Sequence, residues 1–338
     1  MVIVVLFFSS SMQINSQLIT QSNLKNSETQ INILLIFDNP YGAEYPYTKE
    51  ILENRFGWNI TTTALEKTIE SCTETMADVS VDYTIDNLPG ISNFDIISVM
   101  PGPEQENLMA SNEVLSLIKN ANQRGLIVSA LCKGVRVLAA ADVISGKNVT
   151  GHWDYENEYR DAGATYFDGS PPIIDGNIIT CYSSTQYRTQ MCCALATAVG
   201  VLEVDPPTIL ETQNSNLSDG NYSISANILD NSGVFSVEAK FYLLSEDGQR
   251  VSSYPEFTCF LEKRNDEGLY EKSIEIPQGF YSIDLVAEDI YYNRNIAKNI
   301  AEIFVSTSLN STNSLEILIP IFGIFCGLIA CTNKKKRK

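Results

Sequence analysis

Histidine is almost missing from this chain: His152 is the single one in 338 residues. Eight cysteines are present (Cys72, Cys132, Cys181, Cys192, Cys193, Cys259, Cys326 and Cys331), but none forms a CxxC pair. The spacing of zinc ligands is therefore absent, and no metal or other cofactor is expected. Eight cysteines in a chain of this length are also too few for a disulfide scaffold. One or two bridges fit the count, and the spacing does not assign them. Basic charge is scarce as well. Lys and Arg total 23 against 41 Asp and Glu, for a net charge of −18, and the last five residues, Lys334 to Lys338, are all basic, so the rest is more acidic still. Phosphate backbones are held by clustered Lys and Arg, so nucleic acid is excluded as a partner. The acidity reads as a solubility device. Charged residues make up 19% and apolar residues 44%, a balance that supports folded cores rather than disorder, and the length suits two domains.

Long apolar runs occur at the two ends. Val2 to Phe8 read VIVVLFF ahead of a serine-rich stretch, which makes residues 1–20 a signal-like segment, although no Lys or Arg precedes the apolar run. Residues 21–30 are a polar linker. Near the other end, Ile317 to Cys331 read ILIPIFGIFCGLIAC. Fifteen helical residues rise about 22 Å against a hydrocarbon core of about 30 Å. Leu315 and snorkelling lysines extend the reach, so 315–332 is expected to be a transmembrane helix. The basic tail 333–338 then stays cytoplasmic. A sorting tail exchanged for another anchor is the alternative. Both readings place a single-pass protein in the cell membrane, with its body extracytoplasmic. N-x-S/T sequons at Asn59, Asn148, Asn216, Asn221 and Asn310 fit that side, as in a glycoprotein.

Between the ends the pattern changes once. INILLIF (31–37), FDIISVM (94–100) and LIVSAL (126–131) are short apolar runs, as expected of strands buried on both faces. Helical patterns lie between and after them at 47–56, 113–123, 135–141 and 186–199, with a polar β-run at 59–64 and a turn and strand in IIDGNIIT (173–180). Residues 31–203 are thus an α/β domain with a mostly parallel sheet. Asp205-Pro206-Pro207 marks the boundary. Beyond it, 222–230, 234–244, 256–263, 269–277, 280–289 and 299–307 alternate apolar and polar residues between turns. That predicts an all-β sandwich of immunoglobulin-like or fibronectin-like type over 205–307, without the inter-sheet cysteine pair. Residues 308–314 read as a stalk.

The stretch richest in chemistry is Leu126 to Gly134, LIVSALCKG. An apolar strand runs into Cys132, and Gly134 opens a helix: a strand–nucleophile–helix turn flanked by the small residues Ala130 and Gly134. A helix N-terminus and the neighbouring Lys133 favour thiolate there, and the backbone N–H after the cysteine can hold an oxyanion. A buried structural cysteine is the competing reading. Cys192 and Cys193 are adjacent on a predicted helix and point to different faces, with core packing as their expected role. Cys181 ends a buried strand.

Four pieces of sequence carry a resemblance: A-L-C-x-G at the elbow, V-L-A-A-A-D-V-I-S-G-K-x-V-T after it, A-G-A-x-Y, and D-G-N-I-I-T. Together they resemble the ThiJ/PfpI family of the class I glutamine amidotransferase-like superfamily, over about residues 31 to 201. The resemblance implies a flavodoxin-like three-layer α/β sandwich, often dimeric. It also implies peptidase, amidase, glyoxalase or deglycase-like chemistry on a small-molecule or peptide substrate, with Cys132 as nucleophile. Some members carry a histidine directly after the cysteine, where this chain has Lys133. Others use one after the V-T of the next strand, which maps to His152, with Asp154 or Glu156 to orient it. The family places a glutamate after the first strand, hydrogen-bonded to the cysteine; Glu44 in NPYGAEYPY is the nearest counterpart. Its oxyanion loop, commonly P-G-G, is here Pro101-Gly102-Pro103. Proline has no N–H, so Gly102 and Lys133 are the expected backbone donors. The resemblance therefore implies a cysteine-dependent enzyme, and the Pro103 departure favours instead a non-catalytic surface binding or redox-sensing module.

Overall fold

The computed structural model describes residues 30–216 and 221–305. The leader (1–20), most of the linker, the stalk (308–314), the membrane segment (315–332) and the basic tail (333–338) lie outside them. Among the described residues, no helix is long and apolar enough to cross a membrane. The chain divides into two compact units between Asp205 and Pro206.

The first unit is built on a seven-stranded sheet. Its strands, from edge to edge, are Ile173–Asp175, Ile178–Cys181, Ile127–Leu131, Ile96–Val99, Asn32–Phe37, Asn59–Ala64 and Tyr83–Thr84. All neighbours pair in parallel except the first two, which form an antiparallel hairpin. The apolar runs are strands because both faces are covered. Leu34, Ile36, Ile97, Val99, Val128 and Ala130 share one core with Leu108, Val114, Ile118, Val137 and Leu138 from helices on that side. On the opposite side the helical segments Tyr45–Lys49 and Arg188–Ala198 pack against each other. The result is three layers, α/β/α. Setting aside the hairpin strand and the two-residue edge strand at 83–84, the chain order across the sheet is 2-1-3-4-5, the flavodoxin-like doubly wound order.

Several elements differ from the sequence expectation. The helix expected over 47–56 is an α-turn at Tyr45–Lys49 followed by a π-helical Glu50–Arg55. The expected turn and strand at 173–180 are a full hairpin closed by Gly176 at φ 66°. Short pairs at Thr68–Ile69 with Val79–Ser80 and at Asn148–Val149 with Thr165–Tyr166 carry too few residues to show a period.

The second unit is all-β. One four-stranded antiparallel sheet contains Thr208–Asn216, Asn221–Leu229, Leu269–Glu275 and Glu262–Lys263. The other contains Phe257–Phe260, Val234–Leu243, Gly279–Asp289 and Arg294–Val305. Alternation along the strands puts Ile224, Ala226 and Ile228 of one sheet into the same core as Val237, Ala239, Phe241, Ile283 and Leu285 of the other. The strand Thr208–Asn216 has no counterpart in the sequence reading. It follows the prolines directly, and its residues TILETQNSN are mostly polar.

Candidate functional site

In doubly wound sheets, ligands bind beyond the carboxyl ends of the strands, where the strand order reverses. Here that switch lies between Asn32–Phe37 and Ile96–Val99. The loops leaving these strands meet directly, since the Gly42 N–H donates to the Pro101 carbonyl at 3.0 Å. A side chain at Gly42 would sit 2.4 Å from that carbonyl oxygen, and one at Gly102 would sit 2.9 Å from the Pro40 oxygen. Both glycines are present because backbone packs on backbone there.

Cys132 follows the next strand, Ile127–Leu131, and opens a 3₁₀ turn, Cys132–Gly134, that continues as the helix Val135–Ala140. Its φ is 55°, in the left-handed region where a side chain is sterically disfavoured. The turn is tight because Gly134 lies against the neighbouring strand; a Cβ there would meet the Val99 oxygen at 2.8 Å. The elbow read from LIVSALCKG is therefore present in backbone geometry. The backbone amides of Lys133 and Ser184 act on the Cys132 thiol by favouring its thiolate.

The thiol does not have the low pKa that its position suggests. Burial pushes it above the ordinary thiol value, against the lowering by the Lys133 and Ser184 amides and the Lys133 charge, while the Glu44 carboxylate pushes it further up. Magnitudes decide this contest. A helix terminus contributes about 0.3–1 kcal/mol, less than about one pH unit, whereas burial can move an ionisable group by several. The Lys133 ammonium is turned away, donating to the Pro103 carbonyl at 2.9 Å. It ties the elbow to the Pro101-Gly102-Pro103 loop.

His152 reaches the elbow through its backbone. Its N–H donates to the Cys132 carbonyl at 3.4 Å. The imidazole does something else. Its Nδ1 accepts from the Asp154 N–H at 3.4 Å, lies 3.5 Å from Asp154 Oδ2, and the ring stacks on Trp153. Among the described residues no hydrogen bond joins the ring to the Cys132 thiol. Burial lowers its pKa, with Asp154 opposing and Lys133 acting the same way as burial. Of the two carboxylates considered for orienting the ring, Asp154 lies beside Nδ1 and Glu156 pairs with Arg160 at 2.7 Å. The loop itself is pinned. Tyr166 Oη donates to the Gly151 carbonyl at 3.1 Å, and Tyr159 Oη to the His152 carbonyl at 3.4 Å.

Glu44 also departs from expectation. Its carboxylate accepts from Arg188 Nε at 2.8 Å and from a second Arg188 nitrogen, and Thr185 Oγ1 donates to its other oxygen at 3.2 Å. It faces the last helix rather than bonding to the cysteine, though its charge is felt at the thiol. Ser184, Thr185 and Arg188 escaped the sequence reading. The signal available was position: they follow the strand Ile178–Cys181, at the same sheet end as the elbow. Cys181 itself is buried, its Sγ donating to the Ser183 carbonyl at 3.4 Å, and burial raises its thiol pKa to about 12. Cys192 is buried, and Cys193 is half-buried and lines a surface groove with Pro171 and Ile174.

Residues 31–196 match the DJ-1/PfpI family. This part of the chain is a DJ-1/PfpI family domain. The domain is 28% identical over 93 residues to Protein DJ-1 homolog D of Arabidopsis thaliana, covering 27% of this chain and 24% of that protein. It is 26% identical over 104 residues to Protein/nucleic acid deglycase 2 of Escherichia coli, covering 31% and 60%. It is also similar to a ThiJ/PfpI domain protein from Brachyspira murdochii, at 20% identity and a TM-score of 0.47, covering 52% of this chain and all of that one. The chain spans less than two thirds of the length of these curated relatives.

Proposed function

We propose that the DJ-1/PfpI domain is a cysteine-dependent enzyme acting on a carbonyl-bearing small molecule or peptide, of the hydrolase or the glyoxalase/deglycase type. Relatives named as deglycases and as an isonitrile hydratase support this class of chemistry. The observation that carries the reading is Cys132 itself: a non-glycine residue at φ 55°, at the carboxyl end of a central strand and opening the turn into the next helix. Backbone strain of this kind persists where the surroundings over-determine it, and such places are enriched at active sites. The sulfur attacks the substrate carbonyl, and the charge that develops on oxygen falls near amides already fixed in place. His152 would then act after a rotation of its ring away from Asp154. The test is turnover of methylglyoxal and of a peptide panel by the full chain. Cys132→Ala should abolish it, and activity that survives this change sinks the proposal.

A second reading, a non-catalytic binding or redox-sensing module, is favoured by a different observation. The thiol is raised by burial, Pro103 has no N–H to offer, and the one imidazole is engaged with Asp154. Absence of turnover combined with stoichiometric oxidation of Cys132 would select it.

The setting belongs to the same proposal. The apolar ends, the basic tail and the sequons support a body held outside the membrane by a C-terminal anchor, with the β-sandwich as an immunoglobulin-like spacer. A homodimer of the α/β domain is part of this reading. Protease added to intact cells should remove the body if it faces outward; full protection would reverse the topology.

A further inference from the structure

The elbow cysteine has a second thiol beside it. Leu131 and Cys181 are register partners in adjacent parallel strands, and Cys132 is the next residue along. With parallel strands about 4.8 Å apart and successive Cα atoms about 3.8 Å apart, a residue one step past a register partner is placed roughly 6 Å from it by ideal ladder geometry, within the range of about 4.4–6.8 Å that a disulfide spans. One short segment serves both sulfurs. Cys181 Sγ donates to the Ser183 carbonyl at 3.4 Å, and the next amide, that of Ser184, favours the Cys132 thiolate. Negative charge on Cys132 opposes ionisation of Cys181, as closeness requires. Both carry unbridged thiols. Their exposures differ, Cys132 being half-buried and Cys181 fully buried, so an oxidant in solution meets Cys132 first.

We infer that Cys181 is the resolving thiol for Cys132, and that the pair converts a hydroperoxide into an internal Cys132–Cys181 disulfide. The Cys132 thiolate attacks the terminal peroxide oxygen. The S–O bond forms, the O–O bond breaks, and the alcohol, or water from hydrogen peroxide, leaves. Cys181 then attacks the Cys132 sulfur. The S–S bond forms, the S–O bond breaks, and the hydroxyl leaves as water with the Cys181 proton. Two thiols are oxidised by two electrons, and one peroxide is reduced. The first step is slow because the thiol is held protonated by burial. The second is slow because Cys181 is more deeply buried, so the sulfenic acid lives long enough to be trapped. The inference goes beyond hydrolytic turnover and needs no carbonyl substrate.

The sequence makes the test clean. Trypsin cuts after Arg124, Lys133, Arg160 and Arg188, which places Cys132, Cys181 and the Cys192–Cys193 pair in three different peptides. The full chain is treated with a small excess of hydrogen peroxide, alkylated and mapped without reduction. The expected product joins the 125–133 and 161–188 peptides with the loss of two hydrogens. Dimedone added during oxidation should capture Cys132 and suppress the link. Cys181→Ser should leave Cys132 as sulfenic or sulfinic acid, while Cys192→Ser should still form the link. Oxidation of the wild-type chain that takes Cys132 to sulfinic acid with Cys181 still alkylatable overturns the inference, as does a link from Cys132 to Cys192. The wild-type map stands even if a variant does not fold. Loss of hydrolytic activity in Cys132→Ala reports on the proposed enzyme alone, so the two ideas fail separately.

Discussion

Arg188 and Glu44, 144 residues apart, form a two-point ion pair, with Arg188 Nε 2.8 Å from Glu44 Oε2. The pair joins the loop after the first strand to the start of the last helix, beside the elbow. The guanidinium also lies over the Tyr47 ring, 4.4 Å from its centroid. It fixes the carboxylate as an acceptor of Arg188 and Thr185.

Breaking that pair from one side should cost more than removing it whole. Arg188→Met leaves a carboxylate with 15% side-chain exposure unpaired. We expect about 1–3 kcal/mol of lost stability in urea unfolding, with Glu44→Gln in the same chain restoring part of it. An additive double mutant would show that the two groups do not interact.

The Cys132 thiol is raised, chiefly by burial and in part by Glu44. Its iodoacetamide labelling, followed from about pH 6 to about pH 10, should keep rising beyond the ordinary thiol midpoint of about 8.5. Glu44→Gln removes a negative charge and should move the curve to lower pH. A midpoint below about 7 in the wild-type chain would mean that the amides and Lys133 outweigh burial.

Stability should follow the same sign. A thiol whose pKa is higher in the folded than in the unfolded chain contributes stability in full below the unfolded value, and loses it as pH rises through the folded one. Cys181 is raised to about 12 and Cys132 is also raised. Folding free energy should therefore decline from about pH 8.5 upward, and less steeply in Cys181→Ala. Equal slopes for the two chains would remove Cys181 from the account.

Gly134 is required by packing. A Cβ would approach the Val99 oxygen to 2.8 Å and the Met100 oxygen to 3.3 Å, both backbone atoms that cannot swing aside. Gly134→Ala should cost about 2–4 kcal/mol and slow Cys132 alkylation by displacing the elbow. Gly57→Ala, where nothing lies within 4 Å but φ is 70°, should cost about 1 kcal/mol from backbone strain alone and leave alkylation unchanged.

The apolar strand runs, the helical periods after them and the proline boundary were legible in the sequence because each is a local pattern imposed by burial on both faces or on one. The A-L-C-x-G turn was legible for the same reason: a tight corner needs small neighbours wherever it occurs. The strand Thr208–Asn216 was not, because its mostly polar residues gave no alternation to read. Nor was the hairpin strand Ile173–Asp175, whose three residues are too few to show a period.

The site divides along the same line. By itself the sequence determined that a cysteine stands at a strand–helix corner, since chain-local sterics fix that. Only the tertiary structure decided what surrounds it. Burial by distant elements sets the sign of the thiol shift. Arg188 claims Glu44 from across the fold, Asp154 claims the His152 ring, and strand pairing brings Cys181 alongside. Charge and solvation act through space, and partners such as Arg188 for Glu44 and Cys181 for Cys132 lie tens of residues away along the chain.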